Sequence, residues 1–302
     1  MAGITYRDRE TNELKKEKIY GKFFLEALYG DTLLSKVFSF LVLPIIAHLP
    51  TFSYFYGKKQ KSKKSQSKIL PFIRDFNVDV NEFAEPVESF QSFNDFFMRK
   101  LAPNARPIFG EESVAVFPAD GRHLIFPDLS QTKGFYIKGH RLDLRRLLQD
   151  DHYFEMYKGG SMVISRLCPT DYHRFHFPCA CIPGKSKLIN GPLFSVNPMA
   201  LKKHLSILCE NKRVLTPLET GLFGRALFIE VGATCVGSIK QTYIPNKPAE
   251  KGEEKGYFEF GGSCTILLFE KNTIQFDQDL IDCSAKYIET YAKMGTSLGR
   301  RK

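Results

Sequence analysis

Gly261-Gly262-Ser263-Cys264 joins two apolar runs, GYFEF and TILLFE, and a serine in that place has more than one chemistry open to it. Its hydroxyl lies close to the preceding backbone carbonyl, so on a strained turn with a base at hand Ser263 can attack Gly262 and cut its own chain. It can also attack an external acyl group, as a hydrolase does. A Gly-Gly pair between apolar runs is equally an ordinary two-residue hairpin signal that needs no chemistry. Candidate bases stand in TDYHRFHF, where His173 and His176 are three positions apart. On a helix they would share a face, and on a strand they would point to opposite faces. The downstream Glu or Cys of familiar zinc sites is missing, so no metal is expected there. A candidate acid is Asp120 in FPADGRH, on an Asp-Gly turn between strand-like VAVF and LIF. Acid, histidine and hydroxyl together make a possible Ser-His-Asp set. A nucleophile-elbow hydrolase wants G-x-S-x-G, and GGSCT lacks the closing glycine, which favours self-processing.

The elements that must position these groups follow from composition and periodicity. With 302 residues, 43% of them hydrophobic, the chain can bury one large core, or a main domain plus an extension. A net charge of +10 and a pI near 9.1 suit an anionic partner. Seven scattered cysteines without a C-x-x-C pair argue against a disulfide framework and for a reducing compartment. The first twenty residues are densely charged where a signal peptide needs an apolar stretch.

From Phe23 to Gly57 the chain is rich in Phe, Leu and Tyr, but Glu26, Asp31 and Lys36 interrupt it early, and Pro44, His48 and Pro50 follow. That reads as a segment lying in the membrane interface rather than spanning it. Lys58, Lys59, Lys61, Lys63, Lys64 and Lys68 come next without an acid, a run attracted to anionic lipid by about 1 kcal/mol per lysine near the surface. Nothing resembles a nucleic-acid module. Phe90, Phe93, Phe97 and Leu101 predict an amphipathic helix. Beyond Pro103, short alternating runs separated by Gly and Pro predict a β-rich, mainly antiparallel α+β domain, with a short helix over Asp143–Asp150. The expected division is a membrane-associating helical region with a polybasic linker over 1–70 and a catalytic domain over 71–302.

FNDFFMRKLAPNARPI, PADGRH, IKGH, PTDYHRFHFP, NGPLFSVNP, VGATCVGSI, KGEEKGYFEFGGS and MGTSLG, in this order from Ser92 to Gly299, resemble the phosphatidylserine decarboxylases. The resemblance implies a proenzyme that cuts itself between Gly262 and Ser263 into a β chain, 1–262, and an α chain, 263–302. By the same resemblance Asp120 orients His176, His176 takes the proton of Ser263, and Ser263 becomes a pyruvoyl group, so that neither pyridoxal phosphate nor a metal is needed. The pyruvoyl ketone would form a Schiff base with phosphatidylserine, and His173 would return a proton after carbon dioxide leaves, giving phosphatidylethanolamine. Phe194, Ser195 and Asn197 fall in the substrate-facing segment. A homodimer on the cytoplasmic face of a bacterial cell membrane is also implied. One departure stands out: Cys264 occupies the place where the family usually carries Thr or Ser; if that hydroxyl helps stabilise the developing oxyanion or the pyruvoyl carbonyl, the weaker S–H donor would slow maturation, and otherwise the exchange is a harmless small-for-small one. Two other readings stay open on sequence alone, a processing-deficient homologue that binds acidic membranes and a Ser-His-Asp hydrolase of external esters.

Overall fold

The computed structural model describes residues 4–30, 32–48, 50–130, 135–137, 140–201, 204–233, 238–261 and 263–302. Its organising element is a ten-stranded sheet whose centre is strongly apolar. Strands Gly224–Val231, Ser263–Phe269, Ser161–Leu167 and Gly121–Phe126 lie side by side in that order, all antiparallel. Every residue of Ser161–Leu167 and Ser263–Phe269 is buried, because both faces are covered. Alternation then divides the side chains: Cys264, Ile266 and Leu268 enter one hydrophobic core, and Leu267 and Phe269 the other. The mainly antiparallel, mixed α and β character expected from the periodicity is what the structure has.

Three smaller sheets accompany the large one. One contains Ile239–Gln241, Glu254–Phe258 and Arg174–His176, paired antiparallel. This arrangement removes the hairpin reading of Gly261-Gly262-Ser263. Glu254–Phe258 pairs with Ile239–Gln241 and Arg174–His176, whereas Ser263–Phe269 pairs with Gly224–Val231 and Ser161–Leu167. The chain therefore leaves one sheet and enters another across this glycine segment. Gly261 takes a φ of +139°, a region essentially reserved for glycine. Gly262 lies outside the described residues.

The N-terminal part departs from expectation in two places. Thr5–Asp8 and Leu14–Lys16 are strands, and Thr5–Asp8 pairs in parallel with Glu289–Ala292 at the edge of the large sheet. Polar side chains hid them: Arg9 reaches Asp277 and Asp279 across the fold. The lysine run is helical instead of an irregular linker, closing the helix Pro50–Gln60 and continuing as a 3₁₀ segment, Lys63–Lys68. Between these parts stand the helices Lys22–Tyr29 and Leu33–His48. Among the described residues no helix is long and apolar enough to cross a membrane; the 16 residues of Leu33–His48 reach only about 24 Å at the helical rise, short of the ~30 Å hydrocarbon layer.

The predicted helix around Phe93 shortens to Phe93–Phe97, where the Ser92 hydroxyl accepts the Asp95 N–H at 3.1 Å as an N-cap. That expected over Asp143–Asp150 is Leu144–Leu148, capped by Asp143.

Candidate active site

Ser263 opens its strand directly opposite Leu167. Its side chain is buried, and its Oγ has no hydrogen-bond partner among the described residues. A buried, unsatisfied hydroxyl costs about 1–3 kcal/mol, so such an atom marks a place where function outweighs stability. Thr265, two residues on, shares the Ser263 face, and its Oγ1 is also unpartnered. Cys264 faces the opposite way, into the core among Ile266 and Leu268, where burial pushes its thiol up to about 12. The weaker S–H donor that the sequence put beside the reacting serine thus belongs to the other face of the strand.

Asp120 reaches the same end of the sheet. Arg122 pairs with Arg166, which sets Gly121 beside Leu167 and Leu167 beside Ser263. Two interstrand spacings, roughly 10 Å, separate the Gly121 and Ser263 backbones. The Asp120 carboxylate is held by Arg106, whose Nε and Nη2 donate to it at 2.9 and 2.6 Å, and by the Met294 N–H at 2.8 Å.

His176 lies on the strand Arg174–His176 and His173 immediately before it, so the strand alternative for this pair is the one realised. In both rings Nδ1 faces a backbone carbonyl, Asp171 O for His173 and Gly252 O for His176, each at 2.9 Å. A carbonyl only accepts, so Nδ1 carries the proton and Nε2 is the basic nitrogen in each. His176 Nε2 faces the Tyr172 hydroxyl at 3.3 Å, while His173 Nε2 is buried and unpartnered. Burial lowers both imidazoles, His173 to about 3. For His176 the Gly252 bond and the negative charges of Glu254 and Asp120 oppose that fall. Both are therefore neutral bases at pH 7.

Gly252 itself has a φ of +81° and lies against Ile108, where a Cβ would come within 2.4 Å. Only glycine can present its carbonyl to His176 there.

Among the described residues no hydrogen bond joins Asp120, His176 and Ser263. Asp120 acts on His176 as a charge at a distance, since Gly252 occupies His176 Nδ1 and Arg106 with Met294 occupies the carboxylate. Neither imidazole is hydrogen-bonded to Ser263 Oγ.

Sequence reasoning missed a buried ionic cluster beside the serine. Arg166, opposite Cys264, donates to Glu17 at 2.6 Å and to Glu289 at 2.7 Å. Neighbouring Arg122 pairs with Asp171 at 2.5 Å and packs on the rings of both Tyr6 and Tyr291. Arg166 and Arg122 outweigh the desolvation of Glu17 and hold its carboxyl down at about 2. Glu17 was illegible because it sits in a stretch dense with other charges. Replacing it by Ala leaves Arg166 half paired in a dry site and is expected to cost about 3–5 kcal/mol at neutral pH. Because its folded pKa lies below the unfolded one, that contribution is complete above about pH 5 and disappears as pH falls toward 2. Urea unfolding of wild type and Glu17→Ala should therefore differ strongly at pH 7 and converge in acid.

A cavity of about 560 Å³ adjoins this cluster, lined by Glu17, Arg166, Cys168, Ser195, Asn197 and Gly261 among others. Of the three residues expected to face substrate, Ser195 and Asn197 are among those that line this cavity. Phe194 packs on the core instead, and its backbone N–H and carbonyl are held by the Asn211 carboxamide. Among the described residues no cluster of His, Cys, Asp and Glu is arranged to hold a metal ion.

A buried serine opening a central strand of the large sheet, neutral imidazoles and a cavity beside the segment before it make this a candidate serine-centred site, which comparison with known proteins sets in a family. The family model described as Phosphatidylserine decarboxylase matches residues 93–300. The Phosphatidylserine decarboxylase proenzyme of Chlamydia pneumoniae is 46% identical over 98% of this chain and 96% of its own length. The proenzyme of the same name from Clostridium tetani is 45% identical over 99% of this chain and 98% of its own. This chain belongs to the phosphatidylserine decarboxylase family, as its motifs led us to expect, and is an enzyme of the carboxy-lyase class.

Proposed function

We propose that the chain is a self-cleaving proenzyme that converts phosphatidylserine to phosphatidylethanolamine and carbon dioxide. The observation that carries this reading is Ser263 Oγ, buried and unpartnered just after the positive-φ Gly261, at a crossing between two sheets. The same burial speaks against a hydrolase acting on an external ester, which needs a hydroxyl that substrate can reach.

In the proposed cleavage Ser263 Oγ attacks the Gly262 carbonyl carbon, its proton passes to an imidazole, and the acyl group moves from nitrogen to oxygen. Loss of the Ser263 α-proton then expels chain 1–262 as a carboxylate, and water replaces nitrogen at Ser263 to release ammonia and leave a pyruvoyl group. That group supplies the electron sink for decarboxylation. His176, kept neutral by burial and biased by Asp120, is the base we assign to cleavage, and His173 the group that holds a proton for the substrate carbon. A second reading exchanges the two roles. It is favoured by the unpartnered Nε2 of His173, the counterpart of the unpartnered Ser263 hydroxyl.

We assign residues 71–302 to catalysis and the N-terminal 70 to the bilayer, with the lipid-facing part restricted to the helices, since Thr5–Asp8 and Leu14–Lys16 belong to the large sheet. Phe23, Leu34 and Phe40 are more than four-fifths exposed, while Leu25 and Leu28, on the same helix as Phe23, line the cavity. The apolar helices and the lysines after them fit an anionic surface that carries the substrate. In this account the protein is a peripheral homodimer on the cytoplasmic face of a bacterial cell membrane. Flotation with phosphatidylserine vesicles should retain the wild-type protein. A Phe23→Asp, Leu34→Asp, Phe40→Asp triple variant should bind at least tenfold less while cleaving itself normally. Equal flotation of both proteins would remove the helices from the membrane contact.

A further inference from the structure

The segment before Ser263 is held from outside its own sheets by the short helix Phe93–Phe97. Asn94, buried on that helix, has one carboxamide oxygen and one amide group, and both are used. Its Oδ1 accepts the Phe260 N–H at 2.8 Å, and its Nδ2 contacts Met98 Sδ at 3.4 Å. The Phe260 N–H is thereby the last described backbone donor pinned before the glycine pair, three residues from Ser263.

The rings around Asn94 act on the same place. Phe93 and Phe97 pack on the Phe260 ring at 5.2 and 5.0 Å between centroids. Phe97 also lies on the His173 imidazole at 3.8 Å. Phe97 of this five-residue helix therefore touches both the chain entering the glycine crossing and the ring of His173. Ser92 caps this helix, and the Phe93 N–H donates to Ser65 Oγ at 2.9 Å, so the grip is itself anchored in the fold.

Gly261 and Gly262 leave the approach to Ser263 with the widest backbone freedom the chain can have. A reaction whose nucleophile and target carbonyl lie on adjacent residues depends on the backbone angles between them, so freedom there works against it. We infer that Asn94 is a positioning residue for self-cleavage: its carboxamide fixes Phe260, so that the residues after it enter the reaction in one geometry. This inference rests on the self-cleavage reading above. The role ends when the chain is cut, because Phe260 then belongs to the end of one chain and residue 263 to the start of another.

That timing gives the test. Full-length Asn94→Ala and Asn94→Asp proteins are followed for release of chain 263–302 by intact mass, for thermal unfolding, and for decarboxylation of dispersed phosphatidylserine per pyruvoyl group titrated. Asn94→Ala is expected to slow release at least tenfold. Its fraction that has matured should work within twofold of wild type. Asn94→Asp keeps an oxygen acceptor for the Phe260 N–H and should mature within about threefold of wild type, which serves as the conservative rescue if the Ala protein does not fold. The inference is overturned if folded Asn94→Ala is released at the wild-type rate, if folded Asn94→Asp matures as slowly as Ala, or if decarboxylation per pyruvoyl falls in step with maturation. A wild-type chain that stays whole under these conditions would instead overturn the self-cleavage reading, and this inference with it.

Discussion

Ser263→Ala is expected to remain a single chain and to decarboxylate phosphatidylserine no faster than the uncatalysed reaction, a loss of at least about a millionfold on the usual scale of enzymatic rate enhancement. The expected effect is this large because the hydroxyl has two successive duties. Its oxygen must attack the Gly262 carbonyl, and its own carbon frame must then become the electron sink. Removing it leaves neither step. Folding should survive, which makes the result readable. Ser263 Oγ has no partner among the described residues, so deleting it removes an unsatisfied polar atom and is expected to leave the melting temperature unchanged or slightly raised. An intact, well-folded and inactive Ser263→Ala protein is the predicted outcome, checked by gel, thermal melt and release of labelled carbon dioxide.

The second large effect separates the two histidines. His176→Ala should slow cleavage by about 10²–10⁴-fold, the usual contribution of a positioned base. His173→Ala should still be cut, and its mature form should lose decarboxylation by a similar factor. The pH profile adds an independent sign. His176 is lowered from the ordinary imidazole range by burial, so cleavage should be flat at pH 7 and fall only as acid protonates the ring, at a pH below its usual 6.5. A base at His173, lowered to about 3, would keep cleavage flat down to about pH 4. Persistent cleavage by His176→Ala with a profile flat to that pH would assign the base to His173. Stability carries the same linkage. Both rings stay neutral when folded but take up protons when unfolded below about pH 6.5, so each contributes less stability as pH drops from there through its folded value.

The parts of this enzyme readable from sequence are those written in local pattern. Alternating runs beyond Pro103 announced the antiparallel sheets, and DLRRLLQD announced a short helix. GGSC, TDYHRFHF and FPADGRH gave the candidate residues: Asp120 and Ser263 lie at one end of the large sheet, and His176 lies on a smaller one. What escaped was set by partners far apart in the chain. Arg106 takes the Asp120 carboxylate, and Gly252 takes His176 Nδ1, so the acid and base that look like a linked pair are each hydrogen-bonded elsewhere. Thr5–Asp8 was hidden in a densely charged stretch, where Arg7 and the following Arg9, which reach Asp277 and Asp279, mask its strand character. The hairpin reading of Gly261–Ser263 fails for a related reason: two apolar runs around a Gly-Gly pair specify a turn only if they pair with each other, and here each finds better partners in a different sheet.

Intact mass spectrometry of freshly purified protein on phosphatidylserine-containing membranes tests the central claim most directly. The account predicts two polypeptides, 1–262 and 263–302, the second beginning with a carbonyl that borohydride reduces and hydroxylamine captures. A folded, membrane-bound chain that stays whole, or one cut elsewhere with an ordinary amino terminus, would contradict it.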